Sequence, residues 1–385
     1  MSFKRFLLSL SVKLEKKQSS IFNADVKEQM DYVDAFGEPV DDIERSFYQY
    51  KCQMKLYGKG TSALLNILAF PVALVYFLSY KRITPKKQRN AGIAVFIRDG
   101  KPENIMPESL RAKFTEVVCD PQLSGALANE DSIFIWRVIK RYPFSWFFIL
   151  KNIIKIALYR GVIERYQPES ILVCSEYSFT SSLLTAYCKE NGVTHINIMH
   201  GEKLLFIRDS FFRFDYCYVW DTFYVELFTR LKADPKQFLV EIPLSLVFLN
   251  QGIDEKKIDY CYYLGAEEGE ILRSIVQGMK RLREKGMQVA IRPHPRYSNI
   301  NEIKRIAPQV EIEDYRGLSI ETSLRRTKNA VSVYSTVLNQ AYHNGVGIVI
   351  DDVSDRTKFS KLKELHYIML NKDHQLWSAV LEDKE

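Results

Sequence analysis

The chain has 385 residues, 46% of them hydrophobic and 26% charged. These fractions exclude a wholly disordered chain and give room for two domains plus an extension. Lys and Arg number 54 against 47 Asp and Glu, a net charge of +7, which permits a nucleotide, an anionic lipid surface or a nucleic acid as partner without requiring one.

From the N-terminus, residues 1–14 carry Lys4 and Arg5 ahead of FLLSLSV, with no small-residue cleavage site before Lys16. This reads as a short amphipathic helix rather than a signal peptide. Residues 24–44 are acid-rich and read as loop plus helix. Residues 61–80 hold no charge and match the length that crosses a hydrocarbon core of about 30 Å. Lys81, Arg82, Lys86, Lys87 and Arg89 follow without an acid among them. Pro71 interrupts the middle, and Ser62, Asn66 and Ser79 are polar. Three readings stand: a span, an anchor lying in or on the membrane with the basic cluster on anionic lipid, and a core helix hairpin broken at Pro71. Residues 136–166 interleave large apolar side chains with Arg137, Lys140, Arg141, Lys151, Lys155 and Arg160. They read either as a basic amphipathic membrane-surface helix or as a buried helix with solvated lysines. Residues 1–88 thus form a mainly helical accessory, membrane-associating region.

From Ala91 short apolar runs alternate with helical stretches. Residues 93–97, 116–119, 171–174, 195–199 and 216–220 predict strands, and 181–191 and 222–232 predict helices. A polar break, NQGIDEKK, occupies 250–257. The alternation then restarts with strands over 258–264, 288–292, 310–313, 330–333 and 347–350. Helices are predicted over 267–285 and over 336–343, the latter ended by Asn344-Gly345. The pattern predicts an α/β protein with two doubly wound Rossmann-like domains, 91–249 and 255–385, binding ligand in a cleft at the strand carboxyl ends. The six cysteines, Cys52, Cys119, Cys174, Cys188, Cys217 and Cys261, form no CxxC pair and no zinc spacing. Free thiols in a reducing cytosol are expected.

Chemistry-bearing residues fall at those strand ends. In Arg292-Pro293-His294-Pro295-Arg296 two prolines stiffen a strand exit, and two guanidiniums with an imidazole suit a phosphate. A structural His in a rigid turn is the alternative. Tyr334-Ser335-Thr336 leads from a strand into a helix, where hydroxyls and free N–H groups bind anions or simply cap the helix. His200-Gly201 ends another strand, with glycine permitting a turn or a close ligand. Gly201 and Gly265 are assigned to the cleft lining. Glu176, after the strand at 171–174, is a candidate general base, or an acid complementing a helix start. Asp99 is its rival, and His200 joins both as a candidate catalytic residue. No Asp-x-Asp stands at a strand end, so no metal and no cofactor are expected. The acids Glu311, Glu313 and Asp314 read as a solvated strand end.

The order His-Gly, Arg-Pro-His-Pro, Tyr-Ser-Thr resembles the bacterial GT-B glycosyltransferases of capsule and lipopolysaccharide synthesis. In the sialyltransferases and Kdo transferases of this type, which it resembles, an HP motif and a Ser/Thr pair bind the phosphate of a CMP-sugar. The resemblance spans residues 91–352. It implies that His294 and the Ser335/Thr336 pair hold the donor phosphate while Pro295 sets the turn. A similar pattern occurs in CDP-glycerol polymerases of teichoic-acid synthesis. The acidic D/E-D/E-G motif of sialyltransferases is half kept, in Arg98-Asp99-Gly100. The resemblance implies a metal-independent, inverting transfer from a nucleotide-sugar, CMP-linked by preference, to a glycan or lipid-linked glycan at the inner face of the cell membrane. A CDP-linked polyol-phosphate transferase and a non-catalytic nucleotide-binding partner are the alternatives. No basic run lies on a nucleic-acid reading motif, so no nucleic acid is expected.

Overall fold

The computed structural model describes residues 21–79, 82–85, 90–98, 105–121, 125–248 and 257–382. The expected helix at 1–14, Asp99 and Gly100 lie outside them, as do four of the five basic residues at 81–89, Arg82 being described. The chain divides into two compact units: Met1–His200 with Leu205–Pro243, and Gly201–Leu204 with Leu244–Glu385.

The first unit holds strands β1 (Arg82–Ile83), β2 (Asn90–Phe96), β3 (Glu116–Cys119), β4 (Leu127–Ala128), β5 (Pro168–Val173), β6 (Thr194–Ile198), β7 (Tyr216–Val219) and β8 (Phe238–Val240). Its helices are α1 (Val26–Asp34), α2 (Asp42–Tyr57), α3 (Lys59–Ser79), α4 (Glu108–Arg111), α5 (Asn129–Arg141), α6 (Trp146–Tyr166), α7 (Ser181–Glu190) and α8 (Thr222–Arg230). Six strands form one sheet in the order β3-β2-β5-β6-β7-β8, every pair parallel. The chain starts at β2, steps to β3, then crosses back to β5. The carboxyl ends of β2 and β5 therefore flank a reversal of winding.

The N-terminal helices share this unit's core. Val33 of α1 and Cys52 of α2 pack with Phe206, Ile207 and Phe211. The side chain of Gln49 donates to the carbonyls of Glu176 and Arg208, and Gln53 donates to those of Tyr177 and Arg208. The segment 59–79 is one helix that continues through Pro71, not a broken hairpin. The segment 136–166 is two helices separated by residues 142–145, not one amphipathic helix. α6 buries Phe148, Ile149, Ile153 and Ile156, and Arg160 pairs inside the unit with Asp131 at 2.6 Å.

The second unit holds β9 (Ile258–Tyr263), β10 (Val289–Arg292), β11 (Glu311–Ile312), β12 (Thr327–Ser332), β13 (Gly347–Ile350) and β14 (Gln375–Leu376). Its helices are α9 (Gly269–Glu284), α10 (Ile300–Ile306), α11 (Ile320–Arg325), α12 (Thr336–His343), α13 (Arg356–Glu364) and α14 (Trp377–Glu382). The parallel order is β11-β10-β9-β12-β13-β14. In winding order this is 3-2-1-4-5-6, the Rossmann arrangement, with its switch point between β9 and β12. α9 buries Leu272, Ile275, Val276, Met279 and Leu282 against Tyr262, Ile291, Val331 and Val349, each large side chain worth about 2 kcal/mol over exposure. Gly278 lets α9 lie on the Trp377 indole, where a Cβ would come within 3.1 Å. Gly345, at φ +64°, takes the left-handed turn after α12. Both units are thus doubly wound α/β layers, as the alternation of strands and helices predicts.

Candidate functional site

A parallel sheet collects all its carboxyl ends on one edge. In the second unit that edge presents Gly265 after β9, Pro293-His294 after β10 and Tyr334-Ser335-Thr336 after β12. β9 lies between the other two. With strands about 4.8 Å apart, the His294 and Ser335 exits stand about 10 Å apart, with Gly265 between them.

The His294 turn is tied to Gly265 by a short relay. The His294 backbone N–H donates to Ser298 Oγ at 2.8 Å, and that hydroxyl donates to the Gly265 carbonyl at 3.2 Å. The Arg296 backbone N–H donates to His294 Nδ1 at 3.0 Å. Nδ1 is therefore the acceptor nitrogen, and the proton of the neutral ring is assigned to Nε2. The ring stacks on Tyr297 with centroids 4.5 Å apart. Burial lowers the His294 pKa and the Arg296 charge lowers it further, with Glu267 opposing. Both lowering effects favour the neutral ring, which donates through Nε2–H. Pro295 and Arg296 are exposed.

Arg292 does not converge on this point, contrary to the sequence reading. It is 7% exposed. Its guanidinium donates to Glu313 Oε2 at 3.3 Å and to the Leu318 carbonyl at 2.7 Å. Glu313 is likewise no solvated strand end. It is buried, and the Ser323 hydroxyl donates to it as well. A buried carboxylate of this kind needs its cation. The pair therefore anchors the carboxyl ends of β10 and β11 beneath the His294 turn.

Ser335 is the N-cap of α12, its Oγ accepting the Val337 N–H at 3.2 Å. Tyr367, buried, reaches the Ser335 backbone through its hydroxyl, which donates to the carbonyl at 3.3 Å. Tyr334 packs edge-on against the Tyr367 ring. Tyr367 also lines a cavity of about 390 Å³, together with Phe359, Lys363, His366 and His374 among others.

Glu202 was not singled out by sequence, and it sits at the same turn. Its backbone N–H donates to Thr336 Oγ1 at 3.3 Å, and its carbonyl accepts from the Tyr334 hydroxyl at 3.3 Å. Its carboxylate accepts from Asn339 Nδ2 at 3.1 Å. A carboxylate is therefore already held by the Asn339 side chain on the first turn of α12, where the helix dipole favours an anion. The sequence signal was only its place next to His200-Gly201.

In the first unit Glu176 follows β5 and is fully buried. Asn197 Nδ2 donates to its Oε2 at 3.1 Å, and the Asn197 amide oxygen accepts the Ser175 N–H at 2.7 Å. In this conformation its carboxylate is closed to an acceptor. Arg98, at the end of β2, reaches Cys174 Sγ at 3.7 Å across the switch point. His200, beyond β6, is exposed. Among the described residues no three His, Cys, Asp or Glu side chains gather as a metal site. None of the six cysteines forms a disulfide among the described residues.

No protein-family model and no curated protein matches the sequence. Among solved structures the chain is similar to the glycotransferase of kitacinnamycin. That likeness covers 78% of this chain and 92% of that one, at 11% identity and a TM-score of 0.46. It is similar to the wall teichoic acid polymerase TagF over 87% of this chain and 88% of that one, at 11% identity and a TM-score of 0.44. It is also similar to UDP-GlcNAc 2-epimerase from Methanocaldococcus jannaschii over 74% and 93%, at 14% identity and a TM-score of 0.42.

Proposed function

We propose that the chain is a GT-B-type glycosyltransferase whose second unit binds a nucleotide-sugar, with its phosphate held between the His294 turn and the N-terminus of α12. The observation that carries this reading is the placement of Gly265, His294 and Ser335-Thr336 on adjacent strand exits at the switch point of a Rossmann-ordered sheet. Nε2–H of His294 and the Thr336 hydroxyl are the donors, and the N-terminal end of the α12 dipole adds positive potential. They stabilise the charge that develops on the phosphate as the anomeric C–O bond breaks. Arg292 and Glu313 act as positioning residues. The first unit is read as the acceptor side. Exposed His200 is its candidate base, taking the proton from the acceptor hydroxyl as the new glycosidic bond forms.

The Pro-His-Pro turn and the Ser/Thr pair favour a CMP-sugar donor, with sialic acid or a related keto-sugar transferred to a cell-surface glycan or glycolipid. A CDP-linked polyol-phosphate donor would use the same phosphate contacts and leave a phosphodiester in the product. The test is nucleotide release from CMP-sugars and CDP-polyols with a glycan acceptor, comparing the wild type with His294→Ala. Loss of at least a hundredfold in kcat/KM is expected for a group that meets the leaving phosphate. Full activity in the variant overturns the assignment.

A further inference from the structure

We infer that α3 is an in-plane membrane anchor: it lies along the surface of an anionic bilayer with one face in the lipid, and does not cross it. This stands independently of the donor reading.

The helix is mounted inside out. Its polar residue turns inward. Asn66 Nδ2 donates to the Tyr50 hydroxyl at 3.1 Å and to the Ser62 carbonyl at 2.8 Å, and its Oδ1 accepts the Phe147 N–H at 3.1 Å. The stripe Leu65, Ala69, Ala73, spaced by four, is buried, and α3 packs along α6. Its large apolar side chains point to solvent: Leu64, Ile67, Leu68, Leu74, Val75 and Leu78, with Ile67 and Leu78 each 70% exposed. A water-facing helix reverses this arrangement. The apolar face continues onto α5 and the following turn through exposed Ile133, Trp136 and Phe144. Trp136 meets Phe77 of α3 edge-on. A continuous face of this kind marks an interaction surface.

Two observations choose the occupant. From Lys59 to Arg98 the sequence holds seven Lys or Arg and no Asp or Glu. That charge attracts anionic headgroups. A two-fold contact between copies would instead set this basic stretch against itself. The packing decides between lying and spanning. At 1.5 Å per residue the 21-residue helix is about 31 Å long, enough to cross. But α3 is fixed along α6, whose apolar face is part of the sheet unit and which carries exposed Lys151. A crossing α3 would draw charged and sheet-forming structure into hydrocarbon, where unpaired polar groups are not tolerated. With α3 in the plane, the lipid meets only the exposed ridge.

The experiment adds the full-length protein to preformed sealed vesicles of phosphatidylcholine, with and without 30% phosphatidylglycerol, and reads co-sedimentation. The double variant Ile67→Glu/Val75→Glu, at two exposed positions, serves as the comparison, with circular dichroism and melting temperature confirming its fold. The expected result is binding to the anionic vesicles at least tenfold stronger than to the neutral ones, lost in the variant, with the bound protein released by a carbonate wash at pH 11. Retention through that wash contradicts the in-plane geometry. Binding unchanged in the variant overturns the anchor. A lipid-free dimer that dissociates in the variant assigns the face to a second copy instead.

Discussion

His195 shows how burial fixes a residue's role. It is fully enclosed, with the Tyr159 hydroxyl at 3.0 Å from Nε2 and the Thr185 hydroxyl at 2.8 Å from Nδ1. Thr185 spends its own proton on a backbone carbonyl, so it accepts from Nδ1–H, and Nε2 accepts from Tyr159. Burial pushes the His195 pKa from 6.5 down to about 3, and the charge of Lys155 adds to the effect. The folded state thus binds fewer protons than the unfolded one as the pH falls below 6.5. The stability present above that value is lost progressively towards pH 3. At pH 5 the loss is about 2 kcal/mol. Urea denaturation should show the wild type losing about that much more than His195→Gln between pH 7.5 and 5. Equal slopes would contradict the assignment.

Glu202 supplies a second prediction at this scale. Its carboxylate competes with a phosphate for the first turn of α12. Glu202→Gln keeps the size and removes the charge, so nucleotide affinity should rise about fivefold, an effect near 1 kcal/mol. Isothermal titration calorimetry reads it directly. A fall in affinity would mean that Glu202 contacts the ligand rather than standing in for it. Neither role was legible in sequence. Thr336 and Asn339 lie more than 130 positions away from Glu202, and no local pattern joins them.

At the scale of elements, the apolar periodicity of residues 116–119, 336–343 and 347–350 predicts those elements with the bounds observed. Side-chain alternation and the Asn344-Gly345 stop are local properties that suffice there. The two-residue strands β1, β4, β11 and β14 are too short to carry a period and are set by their neighbours. The Arg292–Glu313 pair was hidden for a related reason. It joins the ends of two adjacent parallel strands 21 residues apart, and sequence assigned Arg292 to a phosphate and read Glu313 as a solvated strand end. α5 and α6 are joined by a stronger buried pair. Arg160 meets Asp131 through two donors, at 2.9 and 2.6 Å, and Asp131 also accepts from the Tyr187 hydroxyl and the Ala128 N–H. Arg160→Leu leaves that carboxylate without its cation and should cost roughly 3 kcal/mol. A urea midpoint shift equivalent to less than 1 kcal/mol would show that Tyr187 and Ala128 alone satisfy it.

For the molecule as a whole, the alternation of strands and helices was enough to predict two doubly wound layers, because parallel strands need crossovers and the crossovers here are helical. It did not predict that α1 and α2 are built into the first layer's core, since Gln49 and Gln53 act through backbone carbonyls that no pattern marks. The nucleotide reading depends on the carboxyl edge of the second sheet, and thermal-shift analysis with CMP, CDP, UDP and GDP tests it most directly. A nucleotide at a hundred times its dissociation constant adds about 2.7 kcal/mol. Selective stabilisation by a cytidine nucleotide that vanishes in His294→Ala is the predicted result. Stabilisation by none of the four, or stabilisation that persists in the variant, would contradict it.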